Sequence, residues 1–316
     1  MRPKSNEIQI VRTYDAPVEL VWKVWTDLKH VEKWWGPRGF TLTTKSQELR
    51  PGGKWIFTMH APDGTSFPNI ATFREVVKYQ KLVYDHGTSE EQDKLFSVTV
   101  TFEEKNGKTV MTMTTAFPIE QEAQAAKKFI KDANGNSTWD RLAEYLENEA
   151  FGKDVFIINR TFKADIRTMF EMWANPEHLA KWLGPAGSKM SYVSVDAREG
   201  GTSHFKMTDI NGAVFYGKLH FKEIRPPHHL VYTQIFSDEN GNLTKHPYHP
   251  TWPDELLTTV TFAEEGPEET RVTVKWEIYG KATDEERRTF KNAKIETNQG
   301  WNSSFDKIDQ LLEQEE

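Results

Sequence analysis

The sequence is written twice. Arg12-Thr13-Tyr14 returns as Arg160-Thr161-Phe162, and the same spacing of 148 residues pairs Trp25 with Trp173, His30 with His178 and Gly36-Pro37 with Gly184-Pro185. It continues through Gly52-Gly53 and Gly200-Gly201, Gly64 and Gly212, and Leu82-Val83-Tyr84 and Leu230-Val231-Tyr232. A register held over about seventy positions constrains the chain before any motif does, because the fold of one copy must also be the fold of the other. Past Tyr84 the spacing grows to 160, matching Thr101-Phe102 with Thr261-Phe262, so the second copy carries about twelve extra residues within Asp238 to Glu255. Each copy has about 150 residues, enough to enclose its own core and far more than a solenoid unit. The expected domains are residues 1–149 and 154–316, the second with an insertion near 238–255, and a link of about five residues around Phe151-Gly152.

Composition narrows the class. Among 316 residues, 37% are hydrophobic and 28% charged, as in an ordinary globular protein. No apolar run reaches the roughly 18 residues of a spanning helix, and the opening MRPKSNEIQIVRTYD lacks a secretion signal, so the expected location is the cytoplasm, with no membrane partner. The absence of cysteine excludes disulfides, thiolate nucleophiles and Cys-ligated zinc. A net charge of -7 argues against a phosphate-neutralising nucleic-acid surface.

Within a copy, an alternating strand from Ile8 to Arg12 precedes Asp15-Ala16-Pro17, which offers a cap and a proline for a first helical turn. Val21, Trp22, Val24, Trp25 and Leu28 have helical spacing. A second short helix, started in copy two by Asn175-Pro176-Glu177, stops at Gly36-Pro37 or Gly184-Pro185. From there to about Phe117 the period is two, as in an antiparallel sheet with one covered face, and Ala61-Pro62-Asp63-Gly64 marks a turn. The last segment is helical. In copy two Thr283-Asp284-Glu285-Glu286 reads as a capped start, and Phe290, Thr297, Trp301, Phe305, Ile308 and Leu312 form one stripe. Thr297, Asn298 and Ser304 near its middle need not fill the space between helix and sheet, which leaves room for a cavity. In copy one Asn134-Gly135-Asn136 predicts a bend or break.

This order of elements resembles the helix-grip fold of the START and Bet v 1-like (SRPBCC) superfamily. More narrowly, both copies resemble the bacterial branch of the family named for homology to the heat-shock chaperone ATPase activator. The resemblance rests on Arg12 to Trp25 with Trp34-Trp35-Gly36-Pro37, Pro51-Gly52-Gly53 to Gly64, and the Trp139 to Leu146 helix. In copy two it rests on Arg160 to Trp173, Trp182-Leu183-Gly184-Pro185, Gly200-Gly201 to Gly212, Glu223 to Pro227, and Gly300-Trp301 to Leu312. It implies an α+β fold of two tandem helix-grip domains, each an antiparallel sheet wrapped around a long C-terminal helix with two short helices after the first strand. Relatives with this fold bind lipids or hormones, cyclise polyketides or contact chaperones.

The candidate ligand-binding residues are aromatic or Met side chains on the inward pattern. In copy one they are Trp34, Trp55, Phe57, Met59, Phe73, Tyr84 and Met113. In copy two they are Trp182, Phe205, Met207, Phe221, Tyr232, Trp276 and Trp301. Such residues line cavities for apolar ligands and equally build plain cores. Matching sites differ, Trp55 against Ser203 and Thr115 against Trp276, so any two cavities should differ in shape. His246-Pro247-Tyr248-His249 has the spacing of a metal chelate, but the prolines oppose a helix and no acidic pair completes a site, so it reads as a solvated loop. His204 and His220 read as exposed. Glu75, Glu223, Arg12 and Arg160 recur and read as structural, and no nucleophile-elbow, P-loop or dinucleotide-binding pattern is present. The leading expectation is non-catalytic binding of a small apolar molecule without cofactor or metal. A chaperone or other protein-interaction module is the alternative, and a cyclase or hydrolase the third reading.

Overall fold

The first repeat begins with strand β1 (Glu7–Tyr14), helix α1 (Val18–Thr26) and helix α2 (Leu28–Trp34). The chain then runs through β2 (Thr41–Gln47), β3 (Lys54–His60), β4 (Ser66–Val77), β5 (Lys81–Gly87), β6 (Phe96–Lys105) and β7 (Lys108–Ala116). Helices α3 (Glu120–Asp132) and α4 (Ser137–Phe151) close it. The second repeat has β8 (Val155–Phe162), α5 (Ile166–Ala174), α6 (Pro176–Trp182), β9 (Lys189–Ser194), β10 (Thr202–Thr208) and β11 (Val214–Arg225). It continues with β12 (His229–Ser237), β13 (Glu255–Gly266), β14 (Glu269–Ile278), α7 (Asp284–Asn292) and α8 (Lys294–Gln314). The computed structural model describes residues 3–89, 94–132, 137–151 and 155–314. The chain divides into two compact units, Met1–Ala150 and Phe151–Glu316.

Each unit is built on a seven-stranded sheet, ordered β1-β7-β6-β5-β4-β3-β2 in unit 1 and β8-β14-β13-β12-β11-β10-β9 in unit 2. All neighbours pair antiparallel, so the two short helices carry the chain from one edge strand to the other and a meander returns it. One sheet face, the short helices and the final helix enclose the core, giving two tandem α+β helix-grip domains.

Local chemistry fixes these elements. In unit 2 the Asp165 carboxylate accepts the backbone N–H groups of Arg167 and Thr168, and the Asn175 side chain accepts that of Glu177 just before Pro176. In unit 1 Pro17 itself stands at the N-cap of α1 without a side-chain cap, so Asp15 does not play the capping part its position suggests. The indoles of Trp34 and Trp182, both fully buried, donate to the carbonyls of Val24 and Met172 and so tie each pair of short helices together. Gly52 and Gly200 both take φ of 79°, and a β-carbon on Gly53 would strike the Glu48 carbonyl. These doublets let the chain pair with Phe73 and Phe221 on the way into β3 and β10. Glu75 and Glu223 stand at matching register shifts in β4 and β11, Glu75 paired with Lys81. Arg160 bridges β8 to α8, donating to Asp306 at 2.6 Å and Asp309 at 2.9 Å.

Thr283 and Glu286 form a reciprocal capping box at the start of α7. The final helical segment of unit 2, expected to be continuous, is interrupted at Ala293, where ψ is -1°. The turn separates the Phe290 face, which meets the inserted loop, from the Trp301 face, which meets the sheet. The break expected at Asn134-Gly135-Asn136 of unit 1 lies outside the described residues. No described helix is long and apolar enough to cross a membrane.

Candidate ligand-binding cavity

Alternation in the strands decides which side chains face the final helix of unit 2. Phe205 and Met207 on β10, Gln234 and Phe236 on β12, Leu256 on β13 and Trp276 on β14 all reach one cavity of about 310 Å³. Leu183, Gly184 and Pro185 after α6 form one end, and Thr297, Gly300, Trp301 and Ser304 of α8 form the roof. Trp301 stands edge-on to Trp276, with ring centroids 5.6 Å apart, and contacts Phe305 at 5.5 Å, which holds the roof against the wall.

Small residues open this space. Gly217 on β11 is the cross-strand partner of Phe205, and a β-carbon there would collide with the Phe205 ring. Thr297, Gly300 and Ser304 keep the middle of α8 thin, while Asn298 turns away to bond Asn302.

The insertion supplies the remaining wall. Instead of a solvated loop, residues 238–254 form a clamp whose His246, His249, Trp252, Pro253 and Asp254 reach the cavity. Trp252 is only 6% exposed and contacts Phe290 at 5.6 Å and His246 at 5.5 Å. The Tyr248 hydroxyl donates to Asp209 at 2.7 Å, Lys245 bridges Asp254 and Glu286, and Thr251 bonds Thr289. The loop also covers part of the outer sheet face. His204, expected to be exposed, is 7% exposed and lies 3.1 Å from the Ser237 hydroxyl, because the turn at Gly241 closes over it. His220 is half-buried beside Thr202, 2.9 Å away.

The electrostatics of the mouth are local. His249 lies 3.4 Å from Glu296, and Lys245 2.6 Å from Asp254. Burial, reinforced by His249, pushes the His246 imidazole down to about 4. Its Nδ1 accepts the backbone N–H groups of Tyr248 and His249. Among the described residues no group of three or more His, Asp or Glu is placed to hold a metal ion.

Of the residues expected from the sequence of copy two, Phe205, Met207, Trp276 and Trp301 line the cavity. Trp182, Phe221 and Tyr232 belong to the core instead, with Phe221 and Tyr232 in ring contact at 6.0 Å and burial raising the Tyr232 phenol. In copy one Trp34, Trp55, Phe57, Phe73 and Tyr84 are buried core residues, with Met59 and Met113 packed partly buried against them. There Trp35 and Trp55 stand where unit 2 has Leu183 and Ser203. Trp35 contacts Trp55 at 5.3 Å and Trp139 at 6.4 Å, and Trp55 stacks on Phe57 at 4.0 Å, so indole rings stand where unit 2 has a leucine and a serine.

Leu183, Phe215, Gln234, Phe236, His246 and Trp252 were not expected on the wall. Two of them left a signal. Gln234 interrupts the apolar series Leu230, Tyr232, Phe236, and Trp252 is the largest aromatic in a mostly polar insertion.

The chain matches the family described as Activator of Hsp90 ATPase homolog 1-like protein over residues 15–147 and again over 163–313. No curated protein matches it. Among solved structures, a Staphylococcus epidermidis protein is 27% identical, covering 47% of this chain and 94% of its own, with a TM-score of 0.42. An Arthrobacter aurescens protein is 26% identical, covering 46% of this chain and 90% of its own, with a TM-score of 0.42. The di-domain ARO/CYC BexL from the BE-7585A biosynthetic pathway is 14% identical, covering 98% of each chain, with a TM-score of 0.39. The two family matches coincide with the two sequence repeats and together take in most of the chain, so the protein belongs to the family of Activator of Hsp90 ATPase homolog 1-like proteins and carries the family's domain twice.

Proposed function

We propose that unit 2 binds a small, mostly apolar molecule between its sheet, α8 and the inserted loop, and that binding itself is the function. The observation that carries this reading is the cavity. At about 310 Å³ it is at the lower end of the range for small-molecule sites, roughly 300–1,000 Å³, and like them it has mostly apolar walls with a few polar groups. Its opening depends on particular small residues, Gly217 beneath Phe205 and Gly300 and Ser304 on α8, and not on loose packing.

Native mass spectrometry of the gently purified chain, followed by denaturing extraction, tests it. The expected result is a discrete added mass that is retained by the wild type and lost in Phe205→Glu. A clean unliganded mass, together with failure to take up any added apolar probe, would overturn the reading.

A further inference from the structure

Polar groups on the cavity wall left without a hydrogen-bond partner among the described residues include the Gln234 amide, the Thr297 hydroxyl, the Trp276 indole N–H and one ring nitrogen of His246. Gln234 projects from the inward face of β12, between Tyr232 and Phe236 along the strand and opposite Leu219 and Leu256 across it. Its amide has two donors and an acceptor, none of them engaged. His246 accepts two backbone N–H groups at Nδ1, each at 3.1 Å, which places the ring proton on Nε2 and leaves that N–H free. Thr297, midway along α8, bonds through its backbone to Ala293 while its hydroxyl is unengaged.

The repeat shows how this arose. At a spacing of 148, Gln234 corresponds to His86 and Gly217 to Asn69. In unit 1 those two satisfy each other, His86 Nε2 lying 3.0 Å from Asn69 Oδ1. Unit 2 keeps a polar side chain at the first position and has glycine at the second, so the partner is missing and the Phe205 ring lies over the glycine in its place. An amide held on an apolar face without a partner is costly, by about 1–3 kcal/mol where it is fully buried, and a ligand that completes its bonds removes that cost.

The wall carries no Lys or Arg to meet an anion; Asp254 is paired with Lys245, and the exposed Glu296 lies 3.4 Å from His249. With its proton affinity lowered by burial, His246 is a neutral donor at physiological pH.

We propose that the cavity selects an uncharged apolar molecule carrying an acceptor oxygen, such as a ketone, which the Gln234 amide and the His246 Nε2–H hold by hydrogen bonds beside Thr297. This rests on the binding reading above and adds the ligand's chemical class.

A matched pair of probes tests it: methyl naphthyl ketone and ethylnaphthalene, of nearly equal shape, measured by equilibrium dialysis against the full chain, Gln234→Leu and His246→Phe. The wild type is expected to bind the ketone more tightly by about three- to tenfold for each hydrogen bond made. Each variant should reduce ketone binding by a larger factor than hydrocarbon binding, so that the preference for the ketone falls. Equal binding of both probes by the wild type, or a preference that survives in both variants, would overturn the proposal while the cavity reading stands. If neither probe binds, the cavity reading fails and this proposal fails with it.

Discussion

Phe205 lies across Gly217, its antiparallel partner on β11, so closely that no β-carbon fits between them. The matching pair in unit 1 is Phe57 and Asn69, and there the phenylalanine stacks on Trp55 at 4.0 Å. In unit 2 the absence of a side chain at 217, with Ser203 in place of that tryptophan, lets the Phe205 ring lie down on the sheet. Gly217→Ala should push Phe205 into the cavity, destabilise unit 2 by about 1–3 kcal/mol and weaken uptake of an apolar probe. Urea unfolding and probe titration of the same variant check both effects.

Trp301 and Phe205 define opposite sides of the cavity. Trp301 is 6% exposed and touches Trp276, Trp182 and Phe305, so Trp301→Ala should cost about 3–5 kcal/mol and enlarge the cavity. Phe205 is only half-buried, so Phe205→Glu should keep a native circular dichroism spectrum while placing a carboxylate in the apolar wall and reducing ligand retention. Undiminished retention in both variants would move the site elsewhere.

The insertion is held by one large side chain. Trp252 seats the loop on Phe290 with His246 of the loop packed against it, while most of the loop's other anchors are exposed hydrogen bonds of modest worth. Trp252→Ala should therefore release residues 238–254, and limited proteolysis should show faster cleavage there with β13 and β14 still protected. Cleavage at the wild-type rate would show that Tyr248 and Lys245 hold the loop without it.

The fold was legible because its determinants are local and repeated. Matching tryptophans, double glycines and Gly-Pro stops recur at one spacing, and each fixes a cap, a turn or a helix pair in both units. The cavity was half legible. Phe205, Met207, Trp276 and Trp301 follow from alternation and helical spacing, yet the same rule also selected Phe221 and Tyr232, which pack into the core. Periodicity gives the face a side chain points to, not whether another side chain fills the space in front of it. That depends on partners across the sheet, such as Gly217 for Phe205, and on where an insertion folds back, as Trp252 and His246 do.

Burial of histidine sets an acid limit on stability. In unit 1 His86 stacks on Phe96 at 4.5 Å and bonds Asn69, and burial pushes its imidazole down to about 4, below the ordinary 6.5. Between those values the unfolded chain holds a proton that the folded chain refuses. Stability from this group is therefore complete above about 6.5 and is lost as pH falls toward 4, by at most about 1.4 kcal/mol per pH unit. His246 in unit 2 acts with the same sign. His86→Gln, which installs the residue of the matching position in unit 2, removes the titration while keeping an amide N–H for Asn69. Urea midpoints of the wild type should fall more between pH 7 and pH 5 than those of the variant. Parallel losses in the two proteins would mean that His86 takes up its proton within the folded unit.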